Sequence, residues 1–132
     1  MNYNDLTRRY FESTANVGEL KGPDVFRGAA GNRDQGTWVQ FDLRIKAGAV
    51  SAASFLAFAC PHTIAASAWL AERAVGRPVN SLLPVGVPEL RDRFAVPIEK
   101  MGRLLIIEDA WLAATVAALD YRESAHISDR GE

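Results

Sequence analysis

Thr37-Trp38-Val39-Gln40-Phe41-Asp42-Leu43-Arg44-Ile45-Lys46 is the stretch on which the fold turns. Val39, Phe41, Leu43 and Ile45 fall on one side of an extended chain, and Trp38, Gln40, Asp42, Arg44 and Lys46 fall on the other. Such period-two alternation predicts a strand with one buried and one wet face, the habit of an antiparallel sheet. Ala47-Gly48 follows as a tight turn and Ala49 to Ala59 as the next strand, so the two form an antiparallel hairpin. Upstream, Val25 to Ala30 reads as a shorter strand, separated from the hairpin by the polar turn Gly31 to Gly36.

Helical patterns flank these strands. Asn4 to Glu12 carries Leu6, Tyr10 and Phe11 as an apolar stripe, with Asn4 or Asp5 as its cap. Ser13 to Asp24, with Gly18, Gly22 and Pro23, is a loop. Thr63 to Val75 is an alanine-rich helix closed by Gly76. Three prolines and a glycine between Pro78 and Pro88 leave room only for short helical pieces, and Glu89 to Phe94 forms one turn or two. Val96-Pro97-Ile98 is extended, because Pro97 disfavours a helical Val96. From about Gly102 to Tyr121, Leu104, Ile107, Trp111, Ala114 and Ala118 recur at helical spacing and face the sheet or a neighbouring helix. Trp69 and Trp111 fall on apolar helix faces and read as core. Helix, strands, then helices predicts an α+β fold: a small antiparallel sheet with helices packed on one face. One domain over 1–122 and a polar, fraying tail over 123–132 is the expected organisation.

The composition is globular, with 48% hydrophobic and 23% charged residues in 132. A net charge of −1, with scattered basic residues that include only Lys21, Lys46 and Lys100 as lysine, argues against nucleic acid as a ligand. No apolar run reaches the length of a membrane span, and the polar start Met1 to Asp5 has no signal-peptide core. With one cysteine no internal disulfide is possible, and a cytoplasmic, reducing compartment is the expected home.

That cysteine sits in Phe55-Leu56-Ala57-Phe58-Ala59-Cys60-Pro61-His62-Thr63-Ile64-Ala65-Ala66-Ser67, where an apolar strand turns straight into a helix. Helix-start N–H groups favour negative charge, so a thiolate belongs there. The bland alternative is a small buried residue at a strand end. His62 reads more readily as an exposed, idle residue of the first turn than as a ligand, and His126 as solvent-exposed in the tail. A Cys60–His62 nucleophilic dyad is disfavoured, because folds rather than adjacency bring catalytic pairs together; the chain is not expected to be an enzyme. Gly31 to Gly36 lacks the lysine and following helix of a phosphate loop. Trp38, a large aromatic on the wet face, is a candidate interface anchor or packs beneath the first helix or the Ser13 to Asp24 loop.

Taken together, several segments resemble the iron–sulfur cluster assembly scaffolds of the IscU type, the NifU amino-terminal domain family. The resemblance runs from Tyr3 to Tyr121. Asn16-Val17-Gly18 matches the family's Asn-Val-Gly, and Gly31 to Gly36 matches the loop bearing its first cysteine in Cys-Gly-Asp. Phe58 to Ser67 matches the segment around its second cysteine, usually Gly-Cys-Gly-x-Ala-Ile-Ala-Ser-Ser. Glu72 with Gly76-Arg77, then Ile107-Glu108-Asp109-Ala110 and Asp120-Tyr121, match Glu…Gly-Lys, Ala-Glu-Asp-Ala and Asp-Tyr. The resemblance implies the α+β fold, a role in cluster assembly, an iron–sulfur cluster or zinc as cargo, and a cysteine desulfurase or other assembly protein as partner.

The departures fall on the donors. Family members hold a nascent cluster or zinc with three cysteines helped by an aspartate or histidine. Here Gln35 stands at the first cysteine position, Thr37 at the aspartate, and Gly102-Arg103-Leu104 where the family has His-Cys-Ser. The chaperone-binding Leu-Pro-Pro-Val-Lys survives as Val96-Pro97-Ile98-Glu99-Lys100. Clusters are normally held by four thiolates, and zinc wants four ligands or three plus water. Cys60 and His62 offer two donors, on the same side if the backbone stays extended, with Asp34 a third candidate from the neighbouring loop. Arg103, if it faces the thiol, would repel a metal by several kcal/mol and stabilise a thiolate or an anion instead. The expectation is a degenerate scaffold that holds no metal stably as an isolated chain. Alternatives are a metal-free module that docks on a desulfurase, a persulfide acceptor through Cys60, and a homodimer that bridges one metal with two Cys60 and two His62 residues.

Overall fold

The computed structural model describes residues 3–82 and 86–130. Its elements in chain order are α1 (Asp5–Glu12), β1 (Val25–Asn32), β2 (Thr37–Lys46), β3 (Ala49–Phe58), α2 (Pro61–Ala74), α3 (Val87–Phe94) and α4 (Met101–Arg130), with short 3-10 turns at Arg33–Gln35, Val79–Ser81 and Ile98–Lys100. The three strands form one antiparallel sheet in the order β1-β2-β3. This is the α+β architecture that the alternation in β2 predicts.

Register follows the pattern of side chains. Phe41 pairs with Gly28 on one side and Phe55 on the other. Val39, Phe41 and Leu43 are fully buried, as are Leu104, Ile107 and Ala114 of the α4 stripe. Phe41 meets Trp111 edge to face, ring centroids 5.0 Å apart. The indole nitrogen of Trp111 donates to the Leu82 carbonyl at 3.2 Å, so the one polar atom of that buried ring is satisfied. Gly28 is what lets α4 come so close to β1: a Cβ there would run into the backbone of Ala113 and Ala114.

The other face of the sheet is not wet as the alternation suggests. Asp42 is only 1% exposed and Gln40 is buried. The Ser13 to Asp24 loop covers them. Asp42 accepts two hydrogen bonds from Arg27, at 2.7 and 2.9 Å, and one from the Leu20 amide at 3.0 Å. Gln40 donates to Glu19 at 2.9 Å. A buried carboxylate is tolerable only when bonded this fully. The same loop guards the free edge of β3, where the Phe55 amide donates to the Asn16 carbonyl and its own carbonyl accepts from the Gly18 amide.

Boundaries shift for local reasons. Asn4 caps α1 by accepting from the Thr7 amide. Phe11 is largely exposed, and Thr7 takes its place in the buried face, its hydroxyl donating to the Phe94 carbonyl at 2.8 Å. Trp69 is half-buried rather than core, stacked between the guanidiniums of Arg73 and Arg93. β1 extends to Asn32, into what the sequence marks as turn. α4 runs from Met101 to Arg130, with no proline or glycine after Gly102 to interrupt it; residues 131–132 lie outside the described residues.

Candidate functional site

The site lies where the sheet hands over to α2. The sequence reading starts that helix at Thr63, but it starts at Pro61, a residue pre-set for the first helical position. Cys60 therefore becomes the N-cap, with extended backbone (φ −74°, ψ 165°). Its half-buried Sγ lies 3.4 Å from the Thr63 hydroxyl. Burial pushes the thiol up, but the Thr63 hydroxyl and amide and the Arg103 guanidinium together pull it below its ordinary range. Arg103, in the first turn of α4, is thus near enough for its charge to act on the thiol.

His62 is not the exposed residue expected. It is 3% exposed, with its ring edge-on to Tyr3 at a centroid distance of 4.8 Å. Its Nδ1 has no hydrogen-bond partner among the described residues. Burial first, then the charges of Lys100 and Arg103, hold its pKa below the ordinary value and keep the ring neutral. Because the helix begins at Pro61, the chain is not extended through His62, and the premise for a same-side Cys60–His62 pair is removed.

The remaining positions separate. Gln35 and Asp34 are exposed in the short 3-10 turn, where the Asp34 amide donates to Asn32 at 2.7 Å. Thr37 is buried at the start of β2. Among the described residues, no three of His, Cys, Asp and Glu come together as a metal site. In the stretch Val96 to Lys100, Val96 is buried in the core, whereas Ile98 is 86% exposed. Trp38 is half-buried, with the Arg33 guanidinium stacked 4.7 Å from its ring centroid. What the fold does assemble is Cys60, Thr63 and Arg103, with His62 and Lys100 adjoining. Thr63 escapes notice in the sequence; its signal is a hydroxyl residue three positions after a helix cap.

A donor-poor pocket on this scaffold raises the question of ancestry. The family model described as "NifU-like N terminal domain" matches residues 2–126. The chain belongs to this family. Among curated relatives, the iron-sulfur cluster assembly protein IscU of Plasmodium falciparum (isolate 3D7) is 26% identical over 111 residues, spanning 83% of this chain and 68% of that protein. The iron sulfur cluster assembly protein 1 of Trachipleistophora hominis is 25% identical over 115 residues, spanning 86% and 83%. A solved structure of FiSufU from Fervidobacterium islandicum AW-1, described as an iron-sulfur cluster assembly scaffold protein for the SUF system, superimposes with TM-score 0.68 at 12% identity over 88% of this chain and 96% of that one. A NifU-like N-terminal domain from Brucella abortus gives TM-score 0.51 at 18% identity over 89% and 86%. These two likenesses bear on the fold alone, and they agree with the architecture above. This chain is therefore a member of the iron–sulfur cluster assembly scaffold family, and no described helix is long and apolar enough to cross a membrane.

Proposed function

We propose that this NifU-like domain works in iron–sulfur cluster assembly without holding a cluster on its own residues. The observation that carries the reading is Arg103 beside Cys60. Where the family resemblance expects a cysteine this chain carries Arg103, and a fixed charge acting on Cys60 opposes Fe or Zn ions while favouring the thiolate. Cys60 and His62 supply too few donors for either cargo, and His62 is packed against Tyr3. A dimer bridging one metal through both pairs would have to unpack that ring. Anaerobic reconstitution with iron and sulfide tests the reading. The expected result is no absorbance surviving gel filtration; one stable cluster per chain would overturn it.

The half-buried thiol, held below its ordinary range by Thr63 and Arg103, favours one reading of what the domain does instead: it accepts sulfur from a cysteine desulfurase. The Cys60 thiolate attacks the terminal sulfur of the partner's persulfide. A new S–S bond forms at Cys60, the old one breaks, and its electron pair leaves on the partner's cysteine thiolate. Arg103 then neutralises the persulfide anion. No net oxidant is consumed. Mass spectrometry after incubation with a desulfurase and free cysteine would show one added sulfur on the wild-type chain and none on Cys60→Ala. Binding of the desulfurase by Cys60→Ala with no sulfur ever added to the wild type would leave the docking module as the better description.

A further inference from the structure

Buried hydroxyls inside helices ordinarily bond back to a carbonyl of their own helix. Ser67 does so, donating to the Thr63 carbonyl at 2.8 Å, and Thr115 does so, donating to the Trp111 carbonyl at 3.0 Å. Thr63 departs from this habit. It is 1% exposed in the first turn of α2, yet its hydroxyl has no carbonyl partner among the described residues. It lies instead 3.4 Å from the Cys60 Sγ.

The first turn holds the hydroxyl there. Pro61 sets the start of the helix, the Ile64 amide donates to the Cys60 carbonyl at 3.1 Å, and the bond from Ser67 ties down the Thr63 carbonyl. Branching at Cβ leaves the Thr63 side chain few rotamers. So little exposed, the hydroxyl cannot trade the sulfur for solvent. Its bonding is therefore settled by the state of Cys60. Beside a thiol either atom can donate, but beside a thiolate only the hydroxyl has a proton to give. A hydrogen bond to an anion is the stronger of the two. The hydroxyl thus holds the ionised sulfur from the buried side, while the half-buried sulfur stays open on the other.

We infer that Thr63 is a positioning residue for the sulfur-accepting step: its hydroxyl donates to the Cys60 thiolate from inside the fold and leaves the exposed side of the sulfur for the incoming persulfide. The inference rests on the reading of Cys60 as a sulfur acceptor. The thiol's proton has gone to solvent before the attack, and Thr63 keeps its own. The new S–S bond forms at Cys60, the partner's S–S bond breaks, and its electron pair leaves on the partner's thiolate.

Three substitutions test this on the full chain. Thr63→Val keeps the branched shape and removes the hydroxyl. Thr63→Ala, which introduces the residue of the family's usual motif at this place, removes it with less risk to the packing. Thr63→Ser keeps it. Two quantities are read: the pH midpoint of Cys60 alkylation by iodoacetamide, and the rate of sulfur addition, by mass spectrometry, with a cysteine desulfurase and free cysteine at a pH below every midpoint. Thr63→Val and Thr63→Ala should raise the midpoint by about one pH unit. They should slow sulfur addition about threefold, because a tenfold loss of thiolate is partly offset by the greater nucleophilicity of a more basic sulfur. Thr63→Ser should restore both, and circular dichroism matching the wild type separates these effects from loss of fold. A midpoint or a transfer rate that stays put in the folded valine and alanine variants, or a serine variant as slow as the valine one, would overturn the inference. No sulfur on the wild type, with the midpoint still displaced in the variants, would instead overturn the reading of Cys60 as an acceptor, and this role with it.

Discussion

The crossing of α4 over β1 and the Cys60 end of α2 are built to opposite rules. At the crossing, every position is answered by several others. Gly28 makes room for the α4 backbone, Phe41 sits beside it in register, and Trp111 lies edge-on to Phe41. At the Cys60 end, three side chains make the chemistry: the thiol, the Thr63 hydroxyl and the Arg103 guanidinium. Of the three, only Thr63 is fully buried; Cys60 and Arg103 are half-buried. Packing tolerates little change because interiors are as dense as molecular crystals. A half-exposed polar site can exchange its donors and leave the scaffold standing. That difference would let the family fold persist through the donor replacements that the sequence resemblance implies.

Four substitutions probe the contrast. The largest effect belongs to Gly28→Val, whose side chain has nowhere to go but into the backbone of Ala113 and Ala114. Urea denaturation should register a loss of about 4 kcal/mol or more, or no folded protein at all. A folded variant of near wild-type stability would break the idea that this crossing is rigid. Asp42→Ala comes next. It leaves the Leu20 amide without its acceptor and the Arg27 guanidinium with Glu19 alone, and loosens the loop that covers the polar face. The cost should be about 2–3 kcal/mol, with earlier proteolysis in residues 13–24.

A gain is expected from Ala47→Asn. Ala47 has φ 53° and Gly48 has φ 76°, the left-handed pair of a two-residue hairpin turn. Asparagine adopts that conformation more readily than alanine, so the midpoint of thermal unfolding should rise by an amount equivalent to about 0.5–1 kcal/mol. Arg103→Gln should move stability least, within about 0.5 kcal/mol, yet change the chemistry. The wild-type thiol titrates below its ordinary range partly through Arg103, so removing that charge moves the titration upward. The rate of reaction with iodoacetamide should therefore fall at neutral pH, and its pH midpoint should shift to higher pH. An unchanged profile would detach Arg103 from the thiol and remove the main support for the proposed function.

Much of this was legible in the chain itself. The alternation from Thr37 to Lys46 and the stripe from Leu104 to Ala118 specify sheet, helix and buried faces, because each is a repeat that neighbouring residues carry locally. The order of motifs from Asn16-Val17-Gly18 to Asp120-Tyr121 placed the family, and the proposal of a scaffold without its own cluster starts from the resemblance's reading of Gln35, Thr37 and Arg103 as replaced donors. Tertiary structure alone decided three things: that a loop buries Asp42 on the face the pattern marks as wet, that His62 is packed against Tyr3, and that Arg103, on another helix, lies near enough to lower the Cys60 pKa. Periodicity says which way a side chain leaves its own backbone. What it meets there is supplied by distant segments, and the balance of burial, charge and hydrogen bonding that sets a thiol or an imidazole exists only once those segments have packed.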